Sequence, residues 1–216
     1  MKNRCAAVVL LSILAGAFLA EGADDSPAQA SLLRLEKNLA GISTVQTRFT
    51  QERELAVFQQ KVVLKGTITI QNPDRLAWRV DTPVRYTMVI EGNKVRQWDE
   101  EANQVQQMSL SANPVLQTVT DQLTKFFSGR LSALASMFDV RETADKPLAL
   151  EFTPRADSIT QKAIRRVTMV FQPDERYIER IAIEEAGGDR TTIVFSDTVL
   201  NARVDEKAWE VKPRER

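Results

Sequence analysis

A regular alternation of apolar and polar residues constrains the fold of this chain more than any other feature of its sequence. Within residues 66–80, every second position on either side of a turn at Pro73 is apolar. These positions are Ile68, Ile70, Leu76, Trp78 and Val80. Because successive side chains of a β-strand point to opposite faces, this period predicts two strands that share one apolar face.

The same period recurs along most of the chain and predicts a run of short strands. They are expected at residues 45–49, 62–70, 75–81, 86–90, 94–99, 105–109, 148–153, 167–171, 177–184 and 190–195, with 204–211 closing the chain. Turn sequences such as Gly92-Asn93 and Gly187-Gly188 separate some of them. Strands at this spacing are typical of an antiparallel meander, and a meander of this many strands must curl.

An amphipathic helix is expected before the first strand, from residue 27 to residue 40. Its apolar residues recur at helical spacing as Leu32, Leu35 and Leu39. Ser26-Pro27 is a helix-start signal, and Gly41 follows the last apolar residue. The helix therefore leads directly into the first strand.

A second helical region is expected in mid-chain, where the alternation stops. Asn113-Pro114 is a start signal, Gly129 ends the helix, and a shorter helical piece follows over residues 131–138. Apolar residues of the longer helix include Leu116, Val119, Leu123, Phe126 and Phe127. A segment this apolar has to bury itself, and the open end of the curled sheet is the place available to it.

The first 22 residues have the pattern of a secretory signal peptide. Lys2 and Arg4 form a positive start, residues 6–20 carry no charge, and Ala20-Glu21-Gly22 is a small-x-small end. An uncleaved anchor is the alternative, but about 15 apolar residues fall short of the roughly 20 that a spanning helix needs. The sequence therefore predicts export and cleavage of residues 1–22.

Residues 23–216 are then expected to form one domain without disulfides, because the only cysteine of the chain, Cys5, lies in the leader. Lys plus Arg equals Asp plus Glu, at 29 each. Binding to nucleic acid depends on a basic surface. The balanced charge therefore argues against a nucleic-acid partner.

Side chains that commonly carry catalysis are scarce in this sequence. There is no histidine, so Cys-His and Ser-His catalysis and the common zinc sites are excluded. The acidic groups at Asp99-Glu100-Glu101 and Glu184-Glu185 lie at predicted turns or strand ends, where neighbouring side chains do not converge. No glycine-rich phosphate loop occurs either. We therefore expect a protein that is not an enzyme and that needs no metal or cofactor.

Several short motifs of the first half occur together in one order. They are Phe49-Thr50-Gln51 after the amphipathic helix, Gly66, Pro73-x-x-Leu76-x-Trp78, Pro83, and the Gly92 turn followed by Trp98-Asp99. In this respect the chain resembles the LolA family, the periplasmic carriers of outer-membrane lipoproteins. The second half, from about Ser128, is similar only in the rhythm of its strands.

The resemblance implies an α+β, mainly β fold, in which an incompletely closed antiparallel barrel encloses a hydrophobic cavity. The N-terminal helix and the mid-chain helices would cover this cavity as a lid. Its wall would be formed by Phe49, Ile68, Leu76, Trp78, Met88 and Ile90, and the lid by Leu116, Val119, Leu123, Phe126 and Phe127. The implied ligand is the acyl chains of a lipoprotein or another lipid, carried by a periplasmic monomer between an inner-membrane exporter and an outer-membrane acceptor.

One position departs from the family pattern. The family usually has an arginine immediately before the motif proline, where it bonds to the lid, and this chain has Asn72. Arg75 is close in sequence but lies on the opposite face from Leu76 by parity, so it does not replace the missing latch. The departure leaves other acylated cargo, such as glycolipids, as an alternative to lipoproteins.

Three other interpretations stay open from the sequence. The alternating apolar residues of the wall are also what a sealed core requires. A lipid- or lipoprotein-sensing module of the same fold is an alternative to the carrier. A hydrolase using a Ser-Lys or two-carboxylate mechanism is the third.

Overall fold

The computed structural model describes residues 27–57, 60–112, 117, 131–132, 137–156 and 159–212. The predicted signal peptide and the five predicted lid residues lie outside these ranges. Within them, one helix, α1 (Pro27–Leu39), precedes a sheet of eleven antiparallel strands. The strands are β1 (Thr44–Leu55), β2 (Gln60–Gln71), β3 (Arg75–Thr82), β4 (Tyr86–Glu91), β5 (Lys94–Asp99), β6 (Val105–Ser109), β7 (Phe138–Asp145), β8 (Leu148–Pro154), β9 (Ile164–Phe171), β10 (Ile178–Glu185) and β11 (Arg190–Leu200).

The sheet consists of two meanders joined at their first and last strands. Strands β1 to β6 follow one another on one side, β7 to β11 on the other, and β1 pairs with β11. Phe49 of β1 accordingly faces Phe195 on one side and Gly66 on the other. Among the described residues β6 and β7 have no further strand partner, so the sheet is not closed. The predicted open, mainly antiparallel fold is confirmed.

Helix α1 packs against one face of this sheet, which we call the inner face. Leu32, Leu35 and Leu39 are buried in the same apolar cluster as the strand residues, as their spacing predicted. Polar contacts fix the helix at its sides. Ser31 donates a hydrogen bond to Glu142 of β7, and Arg34 pairs with Glu175 at 2.8 Å. None of the described helical segments is long and apolar enough to cross a membrane.

The sequence prediction missed one strand. A helical piece was expected over residues 131–138; Ser132 is helical, residues 133–136 lie outside the described ranges, and Phe138 begins β7. This strand lies at the edge of the sheet and buries only its first residue, so it carries little apolar alternation. The closing segment 204–211 contains a short 3₁₀ helix, Glu206–Trp209, in which the side chain of Asp205 accepts a hydrogen bond from the Lys207 amide.

The opposite, outer face of β3, β4 and β5 carries a second, smaller core. Its buried members are Ala77, Val89, Trp98, Trp209 and Val211. The last two belong to the C-terminal strap, by which we mean residues 202–212.

Three arginines of the outer face hold the strap. The guanidinium of Arg75 lies 4.1 Å from the centre of the Trp209 ring. Arg79 donates to the Ala208 carbonyl at 2.8 Å, and Arg96 donates to the Trp209 carbonyl at 3.1 Å. With the strap in place, the apolar residues of this part of the outer face are covered.

Candidate functional site

The six residues predicted to line a cavity lie together on the inner face. Two rows run across neighbouring strands, and each places one residue from β2, β3 and β4 side by side. The rows are Ile68-Trp78-Met88 and Ile70-Leu76-Ile90. Five residues of these rows, all but Ile70, were predicted, and Phe49 on β1 completes the predicted six. The predicted six are buried, with exposures of 0% to 8%, in the cluster that also holds α1. The structure thus brings all six together.

Gly66 explains how two large rings fit into this face. The rings of Phe49 and Trp78 meet with their centres 4.9 Å apart and their planes tilted by 51°. Gly66 lies opposite Phe49 in the register. A Cβ atom at Gly66 would lie 3.0 Å from Phe49 Cε1 and 1.8 Å from the carbonyl oxygen of Arg79. A glycine is therefore required where β2 and β3 pass beneath the ring.

The second half of the chain contributes as much to the inner face as the first, and the sequence prediction did not name its residues. The buried members there include Phe152, Met169, Phe171, Ile178, Ile193 and Phe195. They alternate with polar or exposed residues in β8, β9 and β11, for example in the burial pattern of Ile164–Phe171. The same parity argument that identified Trp78 would have found them.

The inner face is closely packed where the described residues form it. An apolar pocket between the end of α1 and strands β10 and β11 has a volume of about 20 Å³, little more than one water molecule needs. A second, polar cleft of about 440 Å³ lies at the other end of the sheet. Neither borders Leu76, Trp78 or Met88. That these residues line a cavity stays a prediction.

Asn72, at the predicted latch position, is fixed to the region behind α1. Its Nδ2 donates to the Ile42 carbonyl at 2.7 Å, and its backbone amide donates to the Ser43 carbonyl. The predicted lid residues lie outside the described ranges, so the latch role of this position stays a prediction. Arg75 points to the outer face, where it contacts Trp209, so the parity argument against a substitute latch agrees with the structure.

A different residue connects α1 to the mid-chain region. Glu36 Oε1 accepts a hydrogen bond from the backbone amide of Ser132 at 2.8 Å. No sequence pattern pointed to this contact, because it joins a helix-surface carboxylate to a main-chain group far along the chain.

The inner face becomes polar toward one end of the sheet, which we call the tip end. There β1 and β2 are joined through residues 56–59, and β10 and β11 through residues 186–189. Along β1, Phe49 is followed on the same face by Gln51 and Arg53. Burial, with a smaller effect of Asp99, raises the pKa of the nearby Tyr86 to about 12, so this phenol stays neutral.

Arg53 is held at the tip end by two carboxylates. Its Nη2 lies 2.9 Å from Asp189 Oδ2 and 3.1 Å from Glu185 Oε1. Burial raises the pKa of Glu185 in spite of Arg53, whereas the hydrogen bond from Arg53 lowers the pKa of Asp189. The result is an ion-pair network at the edge of the polar cleft.

Three of the acidic residues considered from the sequence, Glu100, Glu184 and Glu185, form ion pairs with arginines. Glu184 pairs with Arg166 at 2.7 Å, and Glu100 pairs with Arg85 at 2.7 Å. Glycoside-type hydrolysis needs two converging carboxyl groups with room between them, whereas Glu184 and Glu100 are each paired with an arginine. Within the described ranges no group of three or more acidic, histidine or cysteine residues is placed to hold a metal ion.

An open antiparallel sheet with a helix against an apolar inner face places the protein in the class of incompletely closed β-barrels. Within this class, the chain belongs to the LolA family. The family model "Outer membrane lipoprotein carrier protein LolA" matches residues 40–212. The resemblance seen in the first half of the sequence is thereby confirmed and extends through the C-terminal strap.

Curated relatives agree with this assignment, and solved structures share the fold. An outer-membrane lipoprotein carrier protein of Chromohalobacter salexigens is 25% identical over 173 residues, covering 80% of this chain and 78% of its own. One from Halorhodospira halophila is 27% identical over 192 residues, covering 87% and 85%. An uncharacterized conserved protein from Thermus thermophilus superposes with a TM-score of 0.54 at 12% identity, covering 88% of this chain and 96% of its own. The MucA/MucB complex of Pseudomonas aeruginosa gives 0.54 at 15%, covering 87% and 62%.

Proposed function

We propose that this protein binds the acyl chains of a lipoprotein, or of a related lipid, against the inner face of its sheet and carries them from the inner to the outer membrane. The observation that carries the proposal is the distribution of apolar surface. A continuous apolar inner face spans both meanders of a sheet that is open between β6 and β7. The names of the curated relatives, outer-membrane lipoprotein carriers, support the same cargo class.

The energetics of such a carrier follow from burial. Each methylene removed from water contributes about 0.8 kcal/mol. The wall residues are themselves buried in the folded chain, which avoids a large exposed apolar patch. Cargo binding would therefore replace contacts among the wall residues with contacts between the wall and the acyl chain. The binding free energy would be the difference between these two sets of apolar contacts. A small difference permits release at the acceptor.

Methionines in the inner face suit this exchange. Met88 and Met169 are both buried there. Methionine is unbranched and fills irregular spaces in several rotamers. These positions could therefore accommodate acyl chains of different shapes without a change of backbone.

The transport route extends the proposal. Residues 1–22 would direct export and be removed, leaving a periplasmic monomer. Cargo would come from an inner-membrane exporter and pass to an outer-membrane acceptor. The mid-chain region, tied to α1 through Glu36, would act as the lid. Its movement away from the sheet would expose Trp78 and its neighbours.

The distribution of tryptophans allows a direct test of the binding face. The chain has three, of which Trp78 lies on the inner face while Trp98 and Trp209 lie in the outer core. A dibrominated stearic acid quenches tryptophans that it contacts. We expect saturable quenching in the wild type, the same quenching in Trp98→Phe, and its loss in Trp78→Phe. Trp98 is a matched control because both indoles are buried.

Two outcomes would reject the proposed binding face. Saturable quenching that persists in Trp78→Phe would place the lipid on another surface, and a wild type that shows no quenching would mean that no acyl chain contacts Trp78. Circular dichroism of both variants checks that they are folded. Mass spectrometry of lipids extracted from the protein, purified from the periplasm of its own cells, would identify the cargo.

A further inference from the structure

Gln51 interrupts the apolar inner face at a position where an apolar residue would be expected. It follows Phe49 on the same side of β1 and is 2% exposed. Its partners in the register are Leu64 on β2 and Ile193 on β11. The side chain thus enters an apolar environment from the middle of the sheet.

The carboxamide oxygen of Gln51 has no hydrogen-bond partner in the part of the chain that the structure describes. A buried polar atom without a partner destabilises the folded state, and nearly all such atoms in native proteins are paired. A leucine would satisfy the alternation of β1 at this position. Among the described residues, therefore, nothing pairs with the oxygen that distinguishes this carboxamide from a leucine.

The surroundings of Gln51 indicate where such a group would be useful. On one side, Phe49 and Trp78 begin the apolar surface. On the other side, Arg53 follows on the same strand face and pairs with Glu185 and Asp189. These two carboxylates line the polar cleft at the tip end. Gln51 therefore lies at the boundary between the apolar and the charged parts of the inner face.

We propose that Gln51 hydrogen-bonds the polar linkage of the bound lipid. Its oxygen accepts a hydrogen bond from an N–H or O–H group at the head of an acyl chain whose methylenes lie along Phe49 and Trp78. The donor is an amide N–H of an N-acylated head group or a hydroxyl of a hydroxylated lipid, and both offer the same chemistry to a carboxamide. This inference rests on the proposed function, because it assumes that acyl chains occupy the inner face.

Pairs of probes that differ only in one donor test the inference. The first pair is a pyrene-labelled N-methyl fatty amide and its N,N-dimethyl counterpart, which lacks the N–H. The second pair is a pyrene-labelled fatty alcohol and its methyl ether. One uncharged hydrogen bond gives a preference of about threefold to tenfold. We expect the wild type to show this preference in at least one pair, and the pair that shows it identifies the donor as amide or hydroxyl.

The variants separate Gln51 from the rest of the inner face. Gln51→Leu should abolish the preference, so that both members of each pair bind this variant with equal affinity. Gln97→Leu is the matched control, since Gln97 also lies on the inner face but already hydrogen-bonds Gln106 at 3.0 Å. It should keep the preference. The melting temperature of Gln51→Leu should equal or exceed that of the wild type, whereas a structural hydrogen bond would make it fall.

The results distinguish failure of the inference from failure of the proposed function. If the wild type binds both members of each pair equally, the inference is wrong although the carrier function stands. That comparison needs no variant and holds even if Gln51→Leu does not fold. A wild type that binds none of the four probes would contradict the proposed function itself.

Discussion

The C-terminal strap should contribute a large share of the stability of this protein, and Trp209→Ala tests this. Trp209 is 3% exposed and packs with Trp98, Ala77 and Val89 on the outer face. Removal of its indole would leave a cavity beside Trp98, Ala77 and Val89 or expose these residues to solvent. The guanidinium of Arg75, 4.1 Å from the ring centre, would lose its aromatic partner.

The expected magnitude follows from these contacts. Truncation of a buried tryptophan to alanine costs about 3–5 kcal/mol. The contact with Arg75 adds about 0.5–1 kcal/mol at a partly exposed site. The indole Nε1 has no partner among the described residues, and alanine removes that unfavourable group. We therefore expect a loss of about 3 kcal/mol, which for a domain of this size lowers Tm by about 6–12 °C.

Thermal unfolding followed by far-UV circular dichroism measures this change without depending on tryptophan emission. Trp209→Phe is the control, because it keeps most of the buried area and should lose less than half as much. Binding of acyl probes below the transition should be unchanged, since the strap lies on the face away from Trp78. A Tm within about 2 °C of the wild type would mean that the outer core contributes little and that our estimate from burial is wrong.

Two further predictions concern the sheet itself. Gly66→Ala should destabilise by about 3 kcal/mol or more in chemical denaturation, because its Cβ would lie 1.8 Å from the Arg79 carbonyl oxygen, whereas Gly187→Ala, with nothing within 4 Å, should be nearly neutral. Equal stabilities of the two variants would contradict the close approach of Gly66 on β2 to the Arg79 carbonyl on β3. Burial raises the pKa of Glu91, but hydrogen bonds from Arg75 and Arg96 outweigh it and leave the pKa below its ordinary 4.5. Glu91→Gln should therefore lower Tm at about pH 7, and this difference should vanish as the pH falls through the lowered folded-state pKa of Glu91. A difference that stays constant with pH would exclude the carboxylate as its source.

Alternation predicted the inner face of the first meander because half-buried strands repeat every two residues. Leu76 and Trp78 were placed on one face and Arg75 on the other, and the structure agrees. The outer core was missed for a physical reason. Trp98 lies on the outer face of β5, and it is buried there by packing with Trp209. Because Trp209 comes far later in the chain, no local sequence pattern predicts that the two residues meet.

The missed site residue and the missed strand have related causes. Gln51 was noticed as part of a motif, but its burial depends on the neighbours Leu64 and Ile193 that the register provides. Strand β7 buries one residue of eight, so its sequence lacks the period that reveals a strand. Periodicity therefore predicts strand faces that pack against a core. It does not predict an edge strand with few buried residues, such as β7, or the burial of a polar residue such as Gln51.

The order of the strands has a mechanical consequence. The two edge strands, β6 and β7, follow each other in sequence, and the chain between Leu110 and Met137 bridges them. A change in the curvature of the sheet would therefore change the distance between β6 and β7. No inter-strand hydrogen bond would have to break, because these two strands are not paired with each other. A closed barrel has a girth fixed by strand number and stagger. An open sheet is free of this constraint, so the number of its strands does not fix its curvature.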